Sequence, residues 1–247
     1  MFLTLSRYSS IVPILLLVAG AALAAPVSPE VLVDLSSVRA VALSPSGEQI
    51  AYVLRVQREF GDGVVFLPIG DGAALAELKG LLEKGEALSA VYCEVPSNPL
   101  LRCADLAAIG ALTRAHGVPV VVDDTVATSM NVDAYGFADW VTPSLSHSLS
   151  GGGDVRAGGV TGDGTSPLAG RLRPLIAGEA DTELAAEDAI ALARNSRNLH
   201  ERIERVNETA EPLVEWLQQQ PLVDQVFYPT TQTREQYQAI RKSGGGY

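Results

Sequence analysis

The chain has 247 residues, 47% of them hydrophobic and 19% charged, with a formal net charge of −11. That length allows one large domain or two small ones, and the acidity excludes the basic footprint of a nucleic-acid binder and any electrostatic gain at an anionic membrane surface. Two cysteines, Cys93 and Cys103, are too few for a disulfide framework and lack the paired spacing of a zinc site.

The chain opens on a segment that reads as an export signal over residues 1–25. Arg7 gives a weak positive start, Ile11 to Ala22 is apolar apart from Pro13 and Gly20, and Ala22-Leu23-Ala24 supplies small residues for cleavage. The apolar run is short for a bilayer span, which favours a signal peptide over an uncleaved anchor and predicts no stable membrane insertion after cleavage. Residues 31–56 then read as a hairpin: Val38 to Leu43, the turn Ser44-Pro45-Ser46-Gly47, and Gln49 to Leu54. The string SVRAVALSPSGEQIAYV resembles the opening propeller strands of prolyl-oligopeptidase-type peptidases. One hairpin cannot make a propeller blade, and no nucleophile elbow follows, so no peptidase activity is expected.

From Ala73 helices and strands alternate. Ala73 to Lys84 is predicted as a helix with Leu75, Leu78, Leu81 and Leu82 on one stripe, and Ala87 to Cys93 as a short strand. Asp105 to His116 is a second helix, with Leu106, Ile109 and Leu112 together and Gly117 closing it. Val118 to Val122 is a strand apolar on both faces, as in a covered parallel sheet. Trp140 to Leu145 is a further strand. Residues 151–170 are a Gly-rich loop with one short strand at Val155 to Val160. A single long helix is predicted from Thr182 to Gln219, kinked by Pro212, with an apolar stripe of Leu192, Leu199, Ile203, Val206, Ala210, Leu213 and Leu217. Val223 to Tyr228 is the last strand and Thr233 to Arg241 the last helix. The βαβαβ order predicts a mostly parallel α/β layer.

Ligands of a parallel sheet meet the carboxyl ends of its strands. Two strands here end in polar clusters, Cys93-Glu94-Val95-Pro96-Ser97-Asn98-Pro99 and Val122-Asp123-Asp124-Thr125. A carboxylate just past a buried strand can pair with a ligand cation, although Asn-Pro and Asp-Asp are also ordinary turn chemistry. A third cluster, Ser144 to Asp154, offers hydroxyls at Ser144 and Ser146 beside backbone N–H groups, which suits a phosphate. Its Ser/Gly composition also suits a plain flexible loop.

In order and spacing, EVPSNPLLR, VPVVVDDT, ADWVTPSLSHSLSGGGDVRAGGV, ARNSRNLHERIERVNETAEPLVEWL and VFYPTTQTREQY resemble the successive motifs of the cystathionine gamma-synthase family of pyridoxal-phosphate (PLP) enzymes, from about Gln57 to Tyr247. The resemblance implies an α/β fold, a partial PLP-dependent transferase (aspartate aminotransferase-like) large domain at 57–220 with a linking helix, and the start of a truncated small domain at 221–247. It implies PLP as cofactor, with Asp123 on the pyridine nitrogen, Asn98 at the phenolic oxygen, and Ser144 and Ser146 at the phosphate. A carboxylate that keeps the ring nitrogen protonated makes the ring an electron sink.

The family's cofactor-attaching lysine falls on His147, and an imidazole cannot replace a primary amine there, although it can move a proton. The three lysines, Lys79, Lys84 and Lys242, are not expected beside the site. The resemblance also implies a preceding segment with further cofactor contacts and a following domain with a substrate-binding arginine, and neither is matched.

Three readings stay open. One is a PLP-dependent transferase or lyase acting on a small amino-acid substrate. Another is a catalytically impaired relative that forms a homo-oligomer or joins an intact homologue. The third is a chimeric product of two gene fragments. The signal-like start implies a secreted or periplasmic chain, and the resemblance a cytoplasmic one.

Overall fold

A computed structural model describes residues 2–5, 40–43, 50–53, 67, 72–85, 88–162, 166–168 and 184–247. Strand β1 (Phe2–Leu5) pairs antiparallel with β8 (Val223–Phe227). Residues 2–5 thus form a strand inside the expected signal segment, whose remaining residues lie outside the described ones. Strands β2 (Ala40–Leu43) and β3 (Ile50–Val53) form the expected hairpin, in register from Ala40↔Val53 to Leu43↔Ile50. Among the described residues no helix is long and apolar enough to cross a membrane.

The central sheet runs β4 (Val91–Glu94), β5 (Val120–Asp123), β6 (Trp140–Val141), β7 (Thr161–Gly162) in that order. The first three strands are parallel and β7 is antiparallel, which makes the sheet mostly parallel as expected. Helix α1 (Gly72–Glu83) precedes β4, and α2 (Leu106–Ala115) connects β4 to β5. Helix α2 starts where Asp105 caps it, its carboxylate accepting from Ala108 N at 2.9 Å. It ends at Gly117, whose φ of 67° is the left-handed conformation a helix stop favours. Leu78 and Leu82 of α1, and Leu106 and Ile109 of α2, bury against Cys93, Val120 and Val122 in one core.

Only that face of the sheet is fully buried. The expectation of a strand covered on both faces is corrected: Val120 and Val122 are 1% and 0% exposed, but Val121 and Asp123 on the other face are half-buried and Tyr92 beside them is 43% exposed.

Three further expectations change. The strand expected over Trp140 to Leu145 pairs only at Trp140–Val141, because the backbone turns into a wide π-type turn at Leu145–Ser150. The strand expected at Val155 to Val160 lies instead at Thr161–Gly162, with one isolated bridge between Ser144 and Gly158. The long helix is two helices, α4 (Ala186–Asn195) and α5 (Leu199–Gln218), separated by a tight turn at Ser196–Asn198. The short helix α3 (Thr128–Asn131) was not expected.

The Arg202 guanidinium explains the break, since it donates to Asn195 O and to Asn198 Oδ1 across the turn. On α5 the buried stripe is Ile203, Val214 and Leu217, while Val206 and Leu213 are 56% and 43% exposed. The stripe moves from Leu213 to Val214 because the helix packs on Leu101, Val226 and Tyr228. Pro212 lies inside α5. After β8, α6 (Pro229–Gln232) and α7 (Arg234–Ile240) close the described chain.

Candidate functional site

The carboxyl ends of β4, β5 and β6 carry the polar clusters named from sequence. Glu94 and Asp123 are register partners at the ends of β4 and β5. Side chains alternate along a strand, so Tyr92, Glu94, Val121 and Asp123 share one face and Asp124 points to the other. Asp123 is held at both oxygens: Oδ2 accepts from the Tyr92 hydroxyl at 2.9 Å and Oδ1 from Thr125 N at 2.9 Å.

Thr125 Oγ1 then accepts from Ser144 N at 2.7 Å. This bond ties the start of the Leu145–Ser150 turn to the end of β5, and so brings Ser144 and Asp123 together. The Ser144 hydroxyl has no hydrogen-bond partner among the described residues. The Ser146 hydroxyl is spent locally, donating to Ala157 O at 3.1 Å and accepting from Ala157 N at 2.7 Å. His147 is exposed, its Nδ1 at 3.0 Å from Ser148 Oγ. Asn98 is also exposed, and its backbone N donates to Glu94 Oε2 at 3.0 Å. It therefore joins the site through Glu94, the partner of Asp123.

The turn that carries His147 is clamped from outside the sheet. Arg202 donates to Ser148 O at 2.7 Å and to Leu149 O at 3.0 Å. Asp154 accepts from Ser150 Oγ, Asn195 Nδ2 and Arg194 at 3.3, 2.7 and 3.3 Å. Gly151 is at φ 67°, and a Cβ there would sit 2.3 Å from Arg202 Nη1, so the guanidinium occupies space only a glycine leaves open. The Ser/Gly-rich segment is thus an ordered turn.

Sequence reasoning missed Tyr92, Asn195 and Arg202, because each meets its partner across elements; Thr125 and Asp154 lay in the clusters it named, without their partners. Lys79 pairs with Glu83 on α1 at 3.6 Å, and Lys242 donates to Ser129 O at 2.6 Å. Lys242 does exert a charge on Asp124, behind the site. Burial pushes both cysteine thiols up to about 12, so neither is a thiolate near neutrality.

Asp124 is 1% exposed, and its Oδ1 has no hydrogen-bond partner among the described residues. Burial, then the neighbouring Asp123 charge, pushes its carboxyl up to about 6 from the usual 3.8. A raised acid holds its proton better in the folded state. Its contribution to stability is therefore full below the unfolded value and is lost as pH rises through about 6. Asp124→Asn is expected to flatten the slope of melting temperature against pH between 4 and 6, recovering on the order of 1–3 kcal/mol at neutral pH. An unchanged slope in thermal melts across that range would remove Asp124 as its source.

Comparison with known proteins gives the site a context. Residues 56–247 match the family described as Cys/Met metabolism PLP-dependent enzyme. Cystathionine gamma-synthase of Neurospora crassa is 37% identical over 196 residues, 78% of this chain and 32% of that protein. The alanine racemase ungC of Aspergillus violaceofuscus is 40% identical over 170 residues, 66% of this chain and 29% of that protein. Among solved structures, cystathionine gamma-lyase from Lactobacillus plantarum complexed with L-serine is similar with a TM-score of 0.62 and 26% identity, over 77% of this chain and 49% of that one. The chain spans about a third of the length of the curated relatives it matches.

Proposed function

We propose that this chain, which belongs to the Cys/Met metabolism PLP-dependent enzyme family, takes pyridoxal 5'-phosphate at its sheet end without attaching it covalently, and does not by itself complete transsulfuration. The observation that carries this reading is His147 in the turn that follows β6, where the family resemblance puts the attaching lysine.

The residues present support a partial fit to the cofactor. Asp123, with both oxygens already oriented, would hold the ring nitrogen. The Ser144 hydroxyl, without a protein partner among the described residues, would donate to the phosphate. Ser146 would join it only by releasing Ala157 O. Asn98, on the loop beyond Glu94, would reach the phenolic oxygen. When bound, the cofactor supplies an electron sink for an amino-acid carbanion. The chain's own contribution would be to orient the ring through Asp123, to hold the phosphate through Ser144, and to offer the exposed His147 imidazole as a proton carrier.

The relatives' names support a small amino acid as substrate, with sulfur amino-acid chemistry from the cystathionine gamma-synthase name and racemisation as its alternative. A second reading, association with a second copy or an intact homologue, is supported by Val206, Trp216 and Leu222, which are 56%, 56% and 58% exposed. For location, export by the N-terminal segment is the reading we prefer over cytoplasmic residence.

Titrating the purified chain with PLP is expected to give saturable absorbance changes. Borohydride followed by peptide mapping is expected to leave no covalent label. Label fixed to a residue of this site would overturn the non-covalent reading, and absence of saturable binding would overturn the pocket itself.

A further inference from the structure

Tyr92 lies on β4, one strand away from Asp123. Register pairs Tyr92 with Val121 and Glu94 with Asp123, so Tyr92 and Asp123 are diagonal neighbours on one face, a separation a tyrosine spans. Its hydroxyl donates to Asp123 Oδ2 at 2.9 Å while Thr125 N donates to Oδ1 at 2.9 Å. An ionised carboxylate has two oxygens with about four acceptor sites. One donor on each oxygen stops rotation of the group and leaves one site per oxygen open.

We propose that Tyr92 is the positioning residue of Asp123, holding its carboxylate so that the free acceptor sites meet a pyridinium N–H. The inference rests on the cofactor pocket proposed above. The Tyr92–Asp123 bond joins β4 to the end of β5, so the position of Asp123 is set by the sheet as well as by its loop. Desolvation of the phenol, and after it the Asp123 charge, hold Tyr92 well above the usual phenol range. It therefore remains an O–H donor near neutral pH and never a phenolate facing the carboxylate. The phenol donates and the ring nitrogen donates, so the two share the carboxylate by using different acceptor sites.

The inference separates from a general structural role by using two probes, PLP and a PLP analogue with CH in place of the ring nitrogen. Tyr92→Phe is expected to weaken PLP binding about tenfold and to leave affinity for the ring-carbon analogue unchanged. Tyr92→His, which keeps a ring N–H donor, is expected to produce a smaller change of the same selectivity, and serves if Tyr92→Phe proves unstable in a thermal melt. Equal weakening of both probes, unchanged affinity for both, or tighter PLP binding by Tyr92→Phe overturns the inference. If the unaltered chain binds PLP and the analogue with equal affinity, Asp123 is not a ring-nitrogen partner and the inference falls alone. If it binds neither, the pocket reading falls and takes the inference with it.

Discussion

His147→Lys is expected to convert reversible PLP binding into covalent retention, with borohydride-stable label rising from background to about one per chain and mapping to position 147. The reason is chemical. A primary amine condenses with the cofactor's aldehyde and an imidazole does not. The reason for expecting the exchange to suffice is structural. The turn is fixed at its start by Ser144 N on Thr125, along one side by Ser146 on Ala157, and on the other by Arg202. None of these bonds uses the His147 side chain, whose Nδ1 lies 3.0 Å from Ser148 Oγ. Position 147 is exposed, so the substitution should change stability by no more than about 0.5 kcal/mol. Saturable PLP binding by the variant without any label at 147 would show that this turn does not face the aldehyde carbon, and would end the assignment of His147 to the lysine position.

Arg202→Met should loosen the same turn without unfolding the sheet. The guanidinium makes four hydrogen bonds, to Ser148 O, Leu149 O, Asn195 O and Asn198 Oδ1. Bonds from a charged donor contribute about 1.5–3 kcal/mol each and do not add simply, so a local loss of about 2–4 kcal/mol follows. In hydrogen exchange, the Gly151 amide, which bonds to His147 O at 2.7 Å, should exchange more than about tenfold faster, since 1.4 kcal/mol is a factor of ten. The amides of β4 and β5 should not change. Arg202→Lys should recover only part of the protection, because one ammonium cannot reproduce a planar fork of donors. Unchanged exchange at Gly151 in Arg202→Met would show that the turn holds itself.

The parts of the fold that were legible from sequence are those specified by neighbours in the chain. Helix α2 was readable because its cap, its apolar spacing and its terminal glycine all lie within thirteen positions of each other, from Asp105 to Gly117. Strand β5 was readable from an unbroken valine run. The candidate site was legible as a set of strand ends, and Thr125 links the turn at Ser144 to the end of β5. What stayed hidden depends on distant partners. Tyr92 looks like one more apolar strand residue until Asp123 is beside it. Arg202 looks like one more surface charge on a polar helix face, and the helix break it causes carries no Gly or Pro to announce it. Strand β6 was expected to run to Leu145, and the wide turn that follows its observed end at Val141 is set by contacts with Ala157 and Arg202. The exposure of Leu213 follows from where β8 lies, which α5's own periodicity does not encode.

The parallel pairing of β4, β5 and β6 also sets the order in which this chain can acquire its shape. Helix α5 closes its hydrogen bonds between near neighbours, within a microsecond or so once nucleated. The sheet cannot. Val91 must find Val120 across the whole of α2, and Val121 must find Trp140 across α3. Each such closure spends chain entropy before any strand contact rewards it. Asp123 meets Ser144 through the second closure and gains Tyr92 and Glu94 as neighbours through the first, so this sheet end stays incomplete until both are made. While it is incomplete, the valines of β5 that will become core are in water, and that interval is when the chain is most prone to pair with another copy of itself.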